Sequence, residues 1–269
     1  MRIRPAVATA LLAGLAALAA PAAVPAQAPT KTPGQLVVGV AMPAAGFQVG
    51  AVRGREVLFA KGYEIDLANA LAGELAVPAV RFVQEDRFTA FFQPGPKEYD
   101  LALSQVTITT AREAVIDFSA PYFTADQAVL LRRGLVLKRR RFSQLRKLQL
   151  CAERATTGGT QAKRIHPDRP VRLFRDPSRL EAELYQRRCD AVIGDSATLG
   201  ALRAQAPQRF GELAGRIRTG ERYGIVFDPG SALKAPVDAA LARLEEDGTL
   251  GRLAARWFST DVTRLRAFR

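Results

Sequence analysis

The chain has 269 residues, of which 48% are hydrophobic and 24% are charged, and its formal net charge is +13 at pH 7. This length suits one or two globular domains, and the composition excludes disordered, collagen-like and disulfide-dense proteins. One histidine and two cysteines are too few for zinc fingers, His-rich metal sites and most His-based catalytic triads. We therefore expect neither a metal site nor a cofactor.

Residues 1–26 have the layout of a secretory signal peptide. Arg2 and Arg4 precede an apolar run at 6–20, and small residues follow it at 24–26. A transmembrane anchor is the alternative, but a run of about fifteen residues is shorter than the roughly twenty that a span requires. We expect cleavage near Ala26 and a soluble periplasmic protein. Because no cysteine lies near that site, we do not expect a lipoprotein.

The basic composition, with a pI of about 10.5, would by itself suit a nucleic-acid partner. Nucleic acid is scarce in the compartment to which this chain would be exported, so we expect no such partner. The charge instead fits an arginine-rich proteome, a preference for membrane surfaces or acidic ligands.

After the leader, short apolar runs alternate with amphipathic stretches, a pattern typical of an α/β fold with parallel sheets. The runs predict strands at 36–40, 80–83, 101–103, 149–152, 171–174, 191–193 and 223–227. The amphipathic stretches predict helices at 65–72, 178–187, 197–205 and 235–246.

Between these elements, residues 132–147 contain eight Lys and Arg side chains and no acid. We interpret this basic segment as a solvated loop at a crossing between domains. A docking patch for a membrane or a transporter is the alternative.

Several motifs in order resemble the polar amino-acid family of periplasmic solute-binding proteins that supply ABC importers. The resemblance spans nearly the whole chain after the leader and ends at 241–249 and Trp257-Phe258. The other motifs are Gly62-Tyr63-Glu64-Ile65-Asp66-Leu67, the stretch 99–112 followed by Asp117-Phe118-Ser119-Ala120-Pro121-Tyr122-Phe123, the turn Ala155-Thr156-Thr157-Gly158, and Cys189-Asp190-Ala191-Val192-Ile193-Gly194-Asp195.

The resemblance implies a type II clamshell, in which two α/β lobes, each a mostly parallel sheet flanked by helices, are joined by two hinge crossings. Lobe 1 would comprise residues 34–129 and 221–269, and lobe 2 residues 130–220. An amino acid would bind in the cleft, and hinge closure would present a surface that the permease of an ABC importer recognises. The implied protein is a monomer that captures and delivers a solute and is not an enzyme.

An α-amino acid carries a carboxylate and an ammonium group, so a dry site must offer a cation and hydrogen-bond donors to one and an acid to the other. We assign the carboxylate to Arg112, whose guanidinium is planar and permanently charged, and to Thr107. Amides at the helix N-terminus that follows Thr156 and Thr157 suit the same carboxylate. Asp195 would pair with the ammonium, or cap the next helix, or do both.

Three further residues bear on the identity of the ligand. Gln105 would offer its backbone carbonyl to the ammonium, but the family more usually has glycine or serine there, so its side chain would narrow the pocket. Arg87 resembles an arginine that meets the side-chain carboxylate in relatives for glutamate and aspartate, and it favours an acidic amino acid; a surface arginine is the alternative. Phe47 would supply an apolar wall, beside an atypical insertion at 50–59.

Cys151 and Cys189 begin two predicted strands, each a few residues before Thr156 or Asp195. If these strands are neighbours, an oxidising compartment would join the cysteines in a disulfide. Two buried free thiols are the alternative.

Two other functions are compatible with the same motifs. Cyclohexadienyl dehydratases, which act on arogenate or prephenate, resemble this family in fold and sequence and need little more than one well-placed acid. Glu221, at the second crossing, would be that acid. A sensory module that reports the ligand to a membrane partner would share every residue named above.

Overall fold

The computed structural model describes residues 28–258 and 262–269. The expected signal peptide, residues 1–26, lies outside the described residues. Within them, no helix combines the length and the apolar character that crossing a membrane requires.

The described residues form two α/β lobes. The strands in chain order are β1 (Gln35–Val40), β2 (Val49–Arg53), β3 (Glu56–Lys61), β4 (Ala79–Gln84), β5 (Leu101–Ala102), β6 (Asp117–Phe118), β7 (Phe123–Arg132), β8 (Leu150–Glu153), β9 (Arg172–Phe174), β10 (Ala191–Asp195), β11 (Phe210–Tyr223) and β12 (Val226–Phe227). The helices are α1 (Tyr63–Glu74), α2 (Thr110–Glu113), α3 (Phe142–Arg146), α4 (Thr157–Arg164), α5 (Pro177–Tyr185), α6 (Ser196–Gln205), α7 (Lys234–Glu246) and α8 (Thr249–Trp257). Short 3-10 helices cover Phe88–Phe92 and Val262–Arg264.

Lobe 1 is built on a seven-stranded sheet in the order β2-β3-β4-β1-β5-β12-β6. Strand β1 pairs in parallel with β4 and β5, whereas β12 runs antiparallel to β5 and β6. The sheet is therefore mixed, where the sequence predicted mostly parallel strands. The unbroken apolar run of β1 is buried from Leu36 to Val40, as expected for a strand covered on both faces.

Lobe 2 is built on a five-stranded sheet in the order β11-β7-β10-β8-β9. Strand β8 pairs in parallel with β9 and β10, while β7 is antiparallel to β10 and β11. This sheet is mixed as well. Two α/β lobes of this kind confirm the predicted type II clamshell.

The two crossings between the lobes lie side by side. Strand β7, which begins at Phe123, leads into lobe 2, and strand β11, which ends at Tyr223, leads out of it. Backbone hydrogen bonds join the crossings: the Ser119 amide donates to the Ile225 carbonyl at 3.0 Å, and the Tyr122 amide donates to the Tyr223 carbonyl at 3.0 Å. The hinge is therefore a hydrogen-bonded pair of segments.

The basic segment 132–147 lies inside lobe 2, between β7 and β8, and not at a crossing as expected. Most of its side chains are exposed, so it forms a solvated surface. Three of its arginines donate to backbone carbonyls: Arg133 to Gln208 at 3.1 Å, Arg140 to Ala214 at 2.5 Å and Arg146 to Ile165 at 3.1 Å.

The C-terminal segment departs from the expected division, which assigned residues 221–269 to lobe 1. Ala267 forms a parallel bridge with Arg216 of β11, and Phe268 packs beside Phe142 in the core of lobe 2. Arg269 accepts a hydrogen bond from the Phe142 amide at 3.0 Å. The end of the chain therefore belongs structurally to lobe 2.

The stretch 50–59, interpreted from the sequence as an atypical insertion, is the hairpin of β2 and β3 at the edge of the first sheet. Next to it, α1 begins directly after Gly62, whose φ is 136°. A Cβ at Gly62 would lie 2.1 Å from the Phe47 carbonyl oxygen, so only glycine fits. This close approach brings Glu64, in the first turn of α1, into the core of lobe 1.

Cys151 and Cys189 form a disulfide in lobe 2, with their Cα atoms 5.9 Å apart. Cys151 lies in β8 and Cys189 directly before β10, and these strands are neighbours. Both cysteines are fully buried in an apolar cluster. The disulfide links β8 to the segment that leads into β10. Helices α4 and α6 begin after the ends of these two strands.

Candidate functional site

Six residues that the sequence singled out line one cavity in the cleft. Lobe 1 contributes Gln105, Thr107 and Arg112, and lobe 2 contributes Thr156, Thr157 and Asp195.

The cationic side of the cavity is Arg112, which is only 8% exposed. Its Nη1 donates to the Thr107 carbonyl at 2.8 Å and its Nη2 donates to the Ala155 carbonyl at 3.3 Å. The guanidinium carbon lies 5.2 Å from the Phe88 ring centre and 4.6 Å from the Phe92 ring centre. These contacts fix the plane of the guanidinium. Burial lowers the pKa of Arg112 below its ordinary value, but an arginine remains charged.

Opposite Arg112 lies the N-terminus of α4. The Thr156 hydroxyl caps the helix by accepting from the Gly159 amide at 3.0 Å. A Cβ at Gly158 would lie 2.8 Å from Gln127 Oε1 and 3.1 Å from the Gly194 Cα, so this first turn packs directly on β10. First-turn amides lack partners inside a helix, and here they lie beside the cavity.

On the acidic side of the cavity, Gln127, a fully buried residue of β7, donates hydrogen bonds to two carboxylates. Its Nε2 donates to Asp195 Oδ1 at 2.5 Å and to Glu221 Oε1 at 3.0 Å. Glu221 Oε2 accepts from the Thr107 hydroxyl at 2.8 Å and from the Thr157 hydroxyl at 2.6 Å. Both threonine hydroxyls therefore bind Glu221, including that of Thr107, which the sequence assigned to the ligand carboxylate.

Asp195 stands at the N-cap position of α6, but its side chain makes no capping hydrogen bond. Burial and repulsion by Glu221 raise the pKa of Asp195 to about 6. Gln127 and the Tyr223 hydroxyl lie beside this carboxylate, which also lines the cavity.

The backbone of Gln105 is held by a buried carboxylate. Gln105 has a φ of 49°, in the left-handed region that glycine favours. Its amide donates to Glu64 Oε1 at 2.7 Å, and its side-chain amide donates to Glu64 Oε2. Gln48 at 2.6 Å and the Tyr122 hydroxyl donate to the same carboxylate. Burial raises the pKa of Glu64 to about 7, against the effect of these donors.

Comparison with known proteins agrees with this geometry. Residues 36–260 match the bacterial extracellular solute-binding proteins, family 3. The chain belongs to this family.

Among the relatives of this solute-binding protein is the ABC transporter glutamine-binding protein GlnH of Bacillus subtilis (strain 168), 27% identical over 207 residues, which are 75% of this chain and 74% of the relative. An ancestral arginine-binding protein bound to glutamine has 29% identity and a TM-score of 0.74, covering 85% of this chain and 100% of that chain. An ancestral amino acid-binding protein described as a precursor of cyclohexadienyl dehydratase has 29% identity and a TM-score of 0.71, covering 84% of this chain and 96% of that chain.

Two residues that the sequence assigned to the ligand lie elsewhere in the solute-binding protein. Phe47 is fully buried in the core of lobe 1, with its ring centre 5.9 Å from that of Tyr63 and 5.1 Å from that of Phe123. Arg87 is exposed and lines a separate cavity at the mouth of the cleft, beside Arg175. Neither lines the cavity that contains Arg112.

Two residues of the cleft were not predicted. Gln127 lies in β7, a strand that the sequence did not predict. Glu153 ends β8 and lines the Arg112 cavity. Burial, with repulsion by Asp195 and Asp176, raises the pKa of Glu153 to about 8. The sequence marks it only as a charged residue that follows an apolar run, two residues before the Ala155-Thr156-Thr157 turn.

Metal ligands of the usual kinds do not converge in the part of the chain that the structure describes: no group of three His, Cys, Asp or Glu side chains is arranged to hold an ion.

Proposed function

We propose that this solute-binding protein captures an amino acid between its lobes and delivers it to an ABC importer. The observation that carries the proposal is the pairing, across one cavity, of a buried guanidinium on lobe 1 with a half-buried carboxylate on lobe 2. Arg112 would bind the α-carboxylate together with the first-turn amides of α4. Asp195 and the Gln105 carbonyl would bind the α-ammonium.

The positions of these residues on both lobes explain why a bound ligand would favour closure of the cleft. Arg112 belongs to lobe 1, whereas the α4 amides and Asp195 belong to lobe 2, so a bound amino acid would be gripped from both sides. A ligand that contacts both lobes favours the closed form by its differential affinity. The closed form is the state that a permease would recognise. We infer that the protein acts as a monomer and that a cleaved leader delivers it to the periplasm without a lipid anchor.

The expected preference for an acidic side chain has little support in the cleft. It rested on Arg87, which lies at the mouth, while the acids Glu153 and Asp195 line the cavity itself. The proposed function therefore specifies an amino acid as the ligand without assigning the class of its side chain.

Glu221, the acid of the alternative dehydratase, is held by Thr107, Thr157 and Gln127, so both of its oxygens act as acceptors. This arrangement suits a carboxylate that links the hinge to the cleft better than an acid that donates a proton. Incubation with prephenate or arogenate tests the dehydratase alternative. If product forms at a rate that Glu221→Gln abolishes, the dehydratase function would replace our proposal.

Isothermal titration calorimetry on protein refolded to remove bound solute tests the proposed function. The twenty amino acids are titrated into the wild type, Arg112→Ala and the control Arg218→Ala, which changes an exposed arginine of β11. We expect at least one amino acid to bind the wild type and the control with micromolar affinity, about −8 kcal/mol, and not Arg112→Ala. Equal affinity in Arg112→Ala, or no binding by any amino acid, would contradict the proposal.

A further inference from the structure

The Arg112 cavity is continuous with a second cavity that extends into lobe 2 between α5 and α6. Gln105, Thr156, Glu153 and Asp195 line both. The wall of the second cavity is aliphatic, and it is formed mainly by Leu130, Leu180, Leu184, Leu199 and Leu202.

The charged residues that line this second cavity are Glu153, Glu181 and Asp195, all of them acidic. Lobe 1 contributes only Pro43, Ala44, Ala45 and Gln105 to it, so no cation from that side offsets the acids. The inner part of the cleft is therefore acidic and apolar at once.

Glu153 is the acid without a partner that lines both of these cavities. Asp195 is hydrogen-bonded, but within the described residues the carboxyl groups of Glu153 and Glu181 accept no hydrogen bond and form no ion pair. Of these two, only Glu153 also lines the Arg112 cavity, and it lines four neighbouring cavities along the cleft. The exposed cations Arg154 and Arg175 line outer cavities with Glu153 but form no ion pair with it. Burial raises the pKa of this carboxyl to about 8, so a cationic ligand group would stabilise its charged form.

We propose that Glu153 determines specificity in the cleft and that the ligand is an amino acid whose long aliphatic side chain ends in an ammonium or a guanidinium. The inference rests on the proposed function: Arg112 and Asp195 take the α-groups, the leucine wall packs on the methylene groups, and Glu153 binds the terminal cation. An acidic side chain would be repelled at this position. An apolar side chain would leave Glu153 buried and unpaired.

Titration calorimetry with L-lysine and L-norleucine tests the inference, because these amino acids share their α-groups and aliphatic chain and differ in the terminal charge. We expect lysine to bind the wild type at least tenfold more tightly than norleucine. In Glu153→Gln the difference should fall below threefold, and norleucine affinity should change little. The control Glu212→Gln alters an exposed acid of β11 and should keep the wild-type preference.

The outcomes separate the two proposals. Tighter binding of norleucine, glutamine or glutamate than of lysine, still lost in Arg112→Ala, would overturn the cationic ligand and leave the amino-acid-binding function standing. No binding of any amino acid would overturn the function itself. If Glu153→Gln does not fold by circular dichroism, the wild-type comparison and Glu153→Asp, which keeps the charge, still decide the question.

Discussion

The guanidinium of Arg112 on lobe 1 donates to the backbone carbonyl of Ala155 on lobe 2 at 3.3 Å. Ala155 lies directly before Thr156, the N-cap of α4, and its φ of 64° turns the chain into that helix. One side chain therefore faces the proposed carboxylate site and also contacts the turn that presents the α4 amides. Ligand binding and lobe closure share this residue.

Arg112→Lys should weaken amino-acid binding at least tenfold, although it keeps the charge. A lysine ammonium has no planar face to pack against the Phe88 and Phe92 rings, and it cannot donate to the Thr107 and Ala155 carbonyls while also forming a fork with a carboxylate. Calorimetry on Arg112→Lys and wild type measures the change. Equal affinity of Arg112→Lys and the wild type would show that a positive charge at this position is sufficient for amino-acid binding.

Glu64→Gln should lower the free energy of unfolding by about 3 kcal/mol, because a side-chain amide would present its own N–H groups to buried donors. Urea denaturation followed by circular dichroism measures the loss. The exposed Glu245→Gln is the matched control and should change stability by less than about 0.5 kcal/mol. A Glu64→Gln protein as stable as the wild type would show that the carboxylate does not hold Gln105.

The ligand-free protein should lose stability as the pH rises from about 5 to 8. Burial raises the pKa of Asp195 to about 6, of Glu64 to about 7 and of Glu153 to about 8. The folded chain therefore retains protons in this range that the unfolded chain has already released, and the free energy of unfolding falls with pH. Urea midpoints at pH 5, 6, 7 and 8 measure the slope, and Glu153→Gln should flatten it across this range and remove most of what remains between 7 and 8, where Asp195 and Glu64 have largely titrated. A free energy of unfolding that rises across this range would contradict the assignment.

Reduction of the Cys151–Cys189 disulfide should cost about 3 to 4 kcal/mol of stability, because the bond closes a loop with a sequence separation of 38. Denaturation of the oxidised and reduced protein measures the difference, with the double variant Cys151→Ala/Cys189→Ala as a reductant-free comparison. If reductant also lowers the stability of the double variant, its effect does not come from this bond.

The order of the main elements could be predicted from the sequence because their apolar periodicity is strong. Strand β1 and helix α1 were placed within a few residues. The pattern failed for β7, whose start coincides with the crossing, and for β11, whose many charged residues and glycines interrupt the alternation of an edge strand. It also failed for the β2–β3 hairpin, which is largely exposed and has no buried face to set a period.

The candidate site was predicted to the extent that motifs mark it. Arg112 and Asp195 line one cavity, as the motifs suggested. Gln127 could not be found because its role depends on strand register, which places it opposite Asp195 in the neighbouring strand. Glu153 carries no motif, and only the course of β8 shows that it faces the cleft.

Phe268→Ala should lower the free energy of unfolding by about 3 kcal/mol, since a buried phenylalanine would be replaced by a void in the core of lobe 2. Thermal or urea denaturation measures the loss. Arg266→Ala, which changes an exposed neighbour, is the control. An unchanged midpoint for Phe268→Ala would show that the C-terminal segment adds nothing to lobe 2.

The return of the C-terminus to lobe 2 has a consequence for how the protein is made. Lobe 1 needs β12, α7 and α8, and lobe 2 needs Phe268, so both cores are completed only by the last part of the chain. Domains usually mature in the order of synthesis, but here lobe 1, which begins first, needs segments that are made after most of lobe 2. In a nascent chain of this design, neither core is complete while residues 226–258 and Phe268 are still to be added.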